Sequence, residues 1–283
     1  MARAPHLRSL VVGAALLAAA GCTDPAKKSA ERAKLQAVEL AAVASSDVDE
    51  LRRGLPPGAA ELAKTLYASG NTDPVEPAEV RKALRRIRSV VPDLRSAKST
   101  FMALASTDGV GIRSDLEEDR MAGIKLFDIF KGLAGSKSEP FSTTIGTFDE
   151  AGSPVVDDDF AAMVPVTQGG ETKALLFSGW TFRSFARHLQ AQAEQTMAEK
   201  RKTQAETEKA PVLYVAISDA RGTFGSPTTP KVNLDTIQGF APTTLASGTT
   251  GTKEIEGRSF GWAVAKAPAL GADVCIVVLR SDL

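Results

Sequence analysis

Apolar positions in residues 25–95 recur at helical spacing. Between residues 27 and 53 they fall at Leu35, Val38, Leu40, Ala42, Val43, Val48 and Leu51, with charged residues between them. This spacing predicts an amphipathic helix. Gly54-Leu55-Pro56-Pro57-Gly58 predicts a break after it. A short helix over 59–68 should then stop at Gly70-Asn71. A third should start behind Pro74 and Pro77, with Val80, Leu84, Ile87, Val91 and Leu94 on one stripe. Arg81, Lys82, Arg85, Arg86 and Arg88 cover the rest of that helix. They read as its solvated side, with a partner-binding face as the alternative.

From Thr100 the pattern shortens to strand-length apolar runs. Residues 101–105 are followed by Asp108-Gly109, a turn signal, and by a second strand over 110–112. A helical stretch is expected over 116–133. Strands follow over 141–148, 160–166 and 173–180, with Gly169-Gly170 joining the last two as a hairpin. A long charged helix runs from Phe182 to about Lys209 and ends before Pro211. Strand texture returns over 212–218, with a turn at Asp219-Ala220-Arg221-Gly222. A helix near 234–240 comes next, then strands over 253–255, 259–266 and 273–279.

The amino terminus has a different texture. Arg3 and Arg8 flank His6, and Leu10 to Ala20 (LVVGAALLAAA) follows without a charge. Eleven helical residues rise only about 16 Å, too short to span a hydrocarbon core of about 30 Å. The pattern fits a secretory signal over residues 1–21. Ala18-Ala19-Ala20-Gly21-Cys22 resembles a lipobox, with Ala19 where that pattern prefers leucine. The resemblance implies that Cys22 is the lipidation site and the first mature residue. The membrane would then be a partner through a lipid anchor. Asp24 is one place beyond the usual inner-membrane retention position, which points to the outer membrane, facing the periplasm.

Charge adds little. Lysine plus arginine and aspartate plus glutamate number 34 each. Loss of Arg3 and Arg8 with the leader leaves a slight acidic excess, which favours no nucleic-acid partner. Of the two cysteines, Cys275 sits in the apolar run Val274-Cys275-Ile276-Val277-Val278 and reads as a small buried hydrophobe.

The two strand-rich stretches repeat. Phe101-Met102-Ala103-Leu104-Ala105 with Asp108-Gly109 matches Tyr214-Val215-Ala216-Ile217-Ser218 with Asp219 and Gly222. Downstream, the segment from Ala161 to Pro165 matches that from Ala263 to Pro268. Each unit reads helix, strand, turn, strand, helix, then a three-strand meander, an α+β arrangement with antiparallel sheets. Behind a long N-terminal helical region, this order resembles the double Cache (PAS-like) sensor domains of bacterial receptors. The resemblance divides the chain into a leader (1–21), a lipidated tether (22–30) and a helical region (31–97). A first Cache-like module (98–181), a connecting helix (182–210) and a second module (211–283) follow. It implies a small-molecule ligand in the first module, no enzyme activity, and a homodimer as a possibility through the first long helix. No sustained heptad over 27–53 demands that dimer.

The amino-acid-binding members carry an Arg-x-Trp-Tyr pattern on the middle helix of the first module. The nearest stretch here is Lys125-Leu126-Phe127-Asp128, so their site is not reproduced. A pocket at that place would be lined by Lys125, Phe127, Asp128, Phe160 and Met163, with Arg113 near its mouth. Alternatively, Phe127, Phe130, Phe160 and Met163 are core. Asp157-Asp158-Asp159 lacks a calcium-loop pattern and reads as a solvated turn. His188 has no metal-spaced partner and reads as a surface residue. Trp180 and Trp262, each after a glycine, read as equivalent positions packed under their sheets. No cofactor, metal or catalytic motif is indicated. The competing reading is an envelope scaffold that uses this fold to hold a protein partner, with the helical region 25–95 as its working surface.

Overall fold

A computed structural model of the chain describes residues 24–67, 76–148, 157–204 and 210–282. The leader, Cys22, and the expected helix end at Gly70-Asn71 lie outside the described residues. Three helices open the structure: α1 (Pro25–Tyr67), α2 (Pro77–Val90) and α3 (Pro92–Ala97). Then come β1 (Phe101–Ala105), β2 (Gly111–Ser114), α4 (Leu126–Ile129), β3 (Ser142–Phe148), β4 (Asp157–Gln168) and β5 (Glu171–Thr181). Helix α5 (Phe182–Gln204) leads to β6 (Val212–Ser218), β7 (Thr223–Gly225), α6 (Lys231–Gly239), β8 (Thr250–Ile255), β9 (Arg258–Lys266) and β10 (Cys275–Ser281).

The strands form two antiparallel five-stranded sheets. Their orders, β2-β1-β5-β4-β3 and β7-β6-β10-β9-β8, are the same order read twice. The β4–β5 hairpin turns on Gly169 and Gly170, whose φ angles of 62° and 83° are the positive values that a two-residue primed turn requires.

Helix α1 is the element that both sheets share. Its buried positions include Ala33, Ala37, Leu40, Ala44, Val48, Leu51, Leu55 and Leu62, a stripe at helical period. At about 1.5 Å per residue, its 43 residues extend roughly 65 Å. The N-terminal half lies on the second sheet so closely that a Cβ on Gly261 would stand 2.0 Å from the Ala30 backbone nitrogen. The C-terminal half lies on the first sheet, with α3 beside it. One apolar core, containing Leu55, Phe160 and Leu176 at one end and Val215, Ala263 and Ile276 at the other, therefore runs the length of the molecule. Each sheet's opposite face carries a smaller cluster of its own.

Several sequence expectations are corrected. The Gly-Leu-Pro-Pro-Gly segment does not break the helix, and 59–67 continue α1. Internal prolines remove backbone hydrogen bonds at about 3 kcal/mol. Here Pro56 and Pro57 face solvent, while Leu51, Leu55 and Leu62 are fully buried around them. Burial of such side chains contributes about 1.5–3 kcal/mol each. Gly54 serves packing instead, since a Cβ there would meet Leu94 at 2.9 Å. Residues 25–30, expected in a tether, belong to α1, with Ala26, Ser29 and Ala30 buried. The stretch 116–133 is helical only at α4 and a single 3-10 turn, Lys131–Leu133. Trp180 and Trp262 are not equivalent, because Trp180 lies in β5 and Trp262 in β9. Trp180 is buried and donates to the Ala97 carbonyl at 3.2 Å, whereas Trp262 stacks on Phe240 with ring centroids 4.5 Å apart.

The last strand is tied back to the first helix. Asp282 accepts from Ser29 Oγ (2.8 Å) and Arg32 (2.9 Å) and pairs with Arg280 at 2.6 Å. Burial alone would raise its pKa. Hydrogen bonds from Arg280 and Ser29, with the arginine charges, outweigh burial and hold the carboxyl at about 2. Its stabilising contribution is present above the ordinary aspartate range and is lost only as pH falls through about 2.

The seat of α1 makes a direct prediction. Gly261→Val should destabilise the fold by about 3 kcal/mol, the upper range for overpacking, measured by urea denaturation. A wild-type midpoint would show that α1 does not lie on β9.

Candidate functional site

Four strand ends meet at one edge of the first sheet. Phe101 opens β1 opposite Gly179, Asp159 of β4 pairs with Thr181 at the end of β5, and Phe148 closes β3 opposite Asp157. Alternation along β4 turns Asp159, Ala161 and Met163 to the face away from α1, and Asp158 and Phe160 to the other. A cleft of about 400 Å³ opens at this edge. Thr100, Phe101, Asp159, Thr181 and Phe148 form its sheet side, and Leu116, Glu117, Glu118, Arg120 and Met121 its loop side.

The loop is held by one buried carboxylate. Asp119 Oδ2 accepts from the Ser114 amide (2.9 Å) and Arg113 (3.0 Å). Its Oδ1 accepts from the amides of Met121 (2.9 Å) and Ala122 (3.2 Å). Burial works against the charge, but the Ser114 and Met121 amides and the Arg113 guanidinium bring the net pKa below the usual range. The basic face of α2 braces the same loop and is not simply solvated. Arg85 donates to the Asp115 carbonyl at 2.9 Å and pairs with Glu117 at 3.2 Å. Arg81 also pairs with Glu117, and Arg88 with Asp115. Hydrogen bonds from Arg81 and Arg85 lower the Glu117 pKa.

The cleft mixes acid, hydroxyl and aromatic groups. Asp159 is 4% exposed and accepts from the Phe148 amide at 3.2 Å. Thr100 Oγ1 donates to the Gly179 carbonyl (3.3 Å) and accepts from the Thr181 amide (3.2 Å). Glu118 and Asp159 share the cleft with Arg120, which lies 3.6 Å from Glu118, while Glu117 is held by Arg81 and Arg85. Phe101, Phe148, Leu116 and Met121 supply apolar wall. Such a lining suits a small ligand with polar groups and an apolar body.

The six residues expected around a pocket are not brought together. Phe127 and Met163 are buried in the apolar cluster that holds Phe101, Phe130 and Phe177. The Phe127 and Phe177 ring centroids lie 6.2 Å apart. Phe160 is buried on the opposite face, 5.5 Å from Trp180. Lys125 and Asp128 are exposed and pair only with each other, at 3.9 Å, among the ion pairs of the described residues. Arg113 alone contributes to the cleft, indirectly, by holding Asp119.

The acidic run 157–159 is no solvated turn. It forms the start of β4, with Asp158 and Asp159 buried. Sequence reasoning missed Asp159 because its partners come from β3, β5 and a loop more than thirty residues upstream. His188 also faces inward, with Nε2 3.2 Å from Asp47 Oδ2 and its ring 5.8 Å from that of Phe185. Cys275 is buried as expected, and burial raises its pKa.

No family model matches the chain, and no curated protein matches it. Two solved structures are similar to it along nearly their whole length. One is a domain of a sensory box/GGDEF family protein from Vibrio parahaemolyticus. It has 10% identity and a TM-score of 0.59 over 91% of this chain and 97% of that one. The other is the extracellular domain of the histidine kinase vpHK1S-Z8. It has 9% identity and a TM-score of 0.61 over 91% and 92%. At these identities the likeness is one of fold, and it extends over both sheets and α1. Among the described residues, no helix is long and apolar enough to cross a membrane.

If Asp119 organises the loop, Asp119→Ala should destabilise the protein by about 2–3 kcal/mol, the range for a buried charged hydrogen-bond partner. It should also speed amide exchange at Met121 and Ala122. Unchanged exchange there would assign the loop's shape to other contacts.

Proposed function

We propose that the chain is a non-catalytic sensor component of the cell envelope, built as two tandem Cache-like modules. In this reading the lipidated Cys22 holds it on the membrane, facing the periplasm, with the outer membrane as its site. The first module binds a small molecule. The cleft carries this reading, because it opens at the strand ends of the first sheet and sets charged groups of both signs beside aromatic wall. Helix α1 starts at Pro25, three residues after Cys22, and its first turns lie on the second module. That module would therefore stand nearest the membrane.

An envelope scaffold is the second reading. Leu35 and Val38 favour it, being 67% and 52% exposed on successive turns of α1. They would suit a protein partner or a second copy of the chain.

The protein from Thr23 onward should be screened by thermal shift against amines, amino acids, organic acids and organic cations. A ligand that binds only the folded state raises the melting temperature. A dose-dependent hit is expected, with Asp159→Asn in the cleft lining weakening it by at least tenfold. Lys125→Ala and Asp128→Ala should leave binding unchanged. A flat screen on folded protein, with an envelope protein recovered through Leu35 and Val38, would favour the scaffold. The anchor is tested separately: labelled palmitate should enter the full-length protein and fail to enter Cys22→Ser. Equal labelling of both would remove the anchor from the proposal.

A further inference from the structure

The joint between the two modules is polar and buried. Asp158 of β4 is 2% exposed, and its Oδ1 accepts from Thr147 Oγ1 of β3 at 2.6 Å. Across the boundary, the β6–β7 turn presents Asp219 and Arg221. Asp219 Oδ1 caps that turn by accepting from the amides of Arg221 (2.8 Å) and Gly222 (3.2 Å). Arg221 Nε lies 2.9 Å from Asp158 Oδ2 but directs its hydrogen bond to Asp219 Oδ2 at 3.0 Å. A second Arg221 nitrogen reaches Asp219 Oδ2 at 2.7 Å, and a third donates to Thr147 Oγ1 at 3.3 Å. Asp158 Oδ2 is thus buried with no aligned donor, and the same Arg221 Nε stands 2.9 Å from it and 3.0 Å from Asp219 Oδ2.

Two carboxylates facing one guanidinium leave a surplus negative charge away from water, unless a proton sits between them. We infer that Asp158 and Asp219 share a proton across the module boundary, making an acid-tightened clasp whose third member is Arg221. With the proton in place, Asp158 Oδ2–H donates to Asp219, Arg221 balances the remaining charge, and every oxygen is answered. Without it, Asp158 and Asp219 repel each other and the joint loosens.

The surrounding charges agree. Burial is the largest influence on Asp158 and raises its pKa from 3.8 to about 6. The Thr147 hydrogen bond and Arg221 oppose the rise, and Asp219 adds to it. The next charged pair along β4 is Asp157 with Arg183 of α5, 4.0 Å apart and separate from the clasp. Because the folded chain holds this proton more tightly than the unfolded chain, its contribution is fully present below pH 3.8. It is lost as pH rises through about 6. The clasp does not depend on the cleft reading, since it involves none of the cleft residues.

The test is a pair of stability curves on the protein from Thr23 onward, between pH 4.5 and 7.5. Wild type should lose stability across that range. Asp158→Asn mimics the protonated acid, because its amide donates to Asp219 at every pH. That variant should lack the loss and be the more stable protein at pH 7.5, by up to about 100-fold in the folding equilibrium, the span of two pH units. Exchange at the β6–β7 amides, corrected for intrinsic rates, should be slower at pH 5 than at pH 7.5 in wild type only. Parallel curves for the two proteins would overturn the clasp. Should Asp158→Asn fail to fold, the carboxyl ¹³C shift of Asp158 in wild type decides the matter. A midpoint near 6 upholds the shared proton, and one below 4.5 rejects it.

Discussion

The seating of α1 on both sheets is the contact on which everything else rests. Each sheet has one face that only this helix, with help from its neighbours, takes out of water. The stripe is made largely of alanine with leucine at intervals, so the backbone can approach the strands closely. At Gly261 the approach leaves no room for a side chain. Because one helix closes both sheets, neither half has a complete core without it. The relative placement of the halves then follows from the rigidity of a single element, with only a secondary contribution from contacts between the halves.

That arrangement confines the polar chemistry to places α1 does not cover. The edge of the first sheet facing the second half is one of them, and β4 begins there with three consecutive aspartates. The strand's alternation sends neighbouring side chains to opposite faces. Asp159 therefore enters the cleft while Asp158 enters the joint. Thr181 completes the cleft, and the next residue, Phe182, starts α5 and meets Phe224 of the second half edge-on, with ring centroids 5.7 Å apart. Cleft and joint are thus one peptide apart along β4 and again along the β5–α5 junction. A ligand that moved the start of β4 would be felt at the joint without any longer path.

How much of this was legible in the sequence depended on whether the deciding contact was local. The strands could be read because their apolar runs are bounded by glycine, proline and Asp-Gly turns. The repeat could be read because each half places the same turn after its first core strand. The Gly-Leu-Pro-Pro-Gly segment was misread because its local meaning is a break. A distant residue, Leu94, reverses that meaning by packing where the glycine leaves space. The stretch 116–125 carried enough apolar and charged residues to suggest a helix. Its backbone instead closes around Asp119, whose partners Ser114, Met121 and Ala122 are set by hydrogen bonds that no periodicity reveals.

The acidic run shows the same limit from the other side. Three adjacent aspartates ordinarily mark a solvated turn, because a buried carboxylate without partners is costly. Here each finds a different answer: the start of α5 and Arg183 for Asp157, Thr147 and the second half for Asp158, the β3 amide of Phe148 for Asp159. None of those partners lies within eight residues, so the composition gives no hint of them. A strand that carries this much buried acid at a junction stays folded only while its partners stay in place. The junction is therefore a place where a change in charge, such as the gain or loss of a proton, acts on the relation between the two halves.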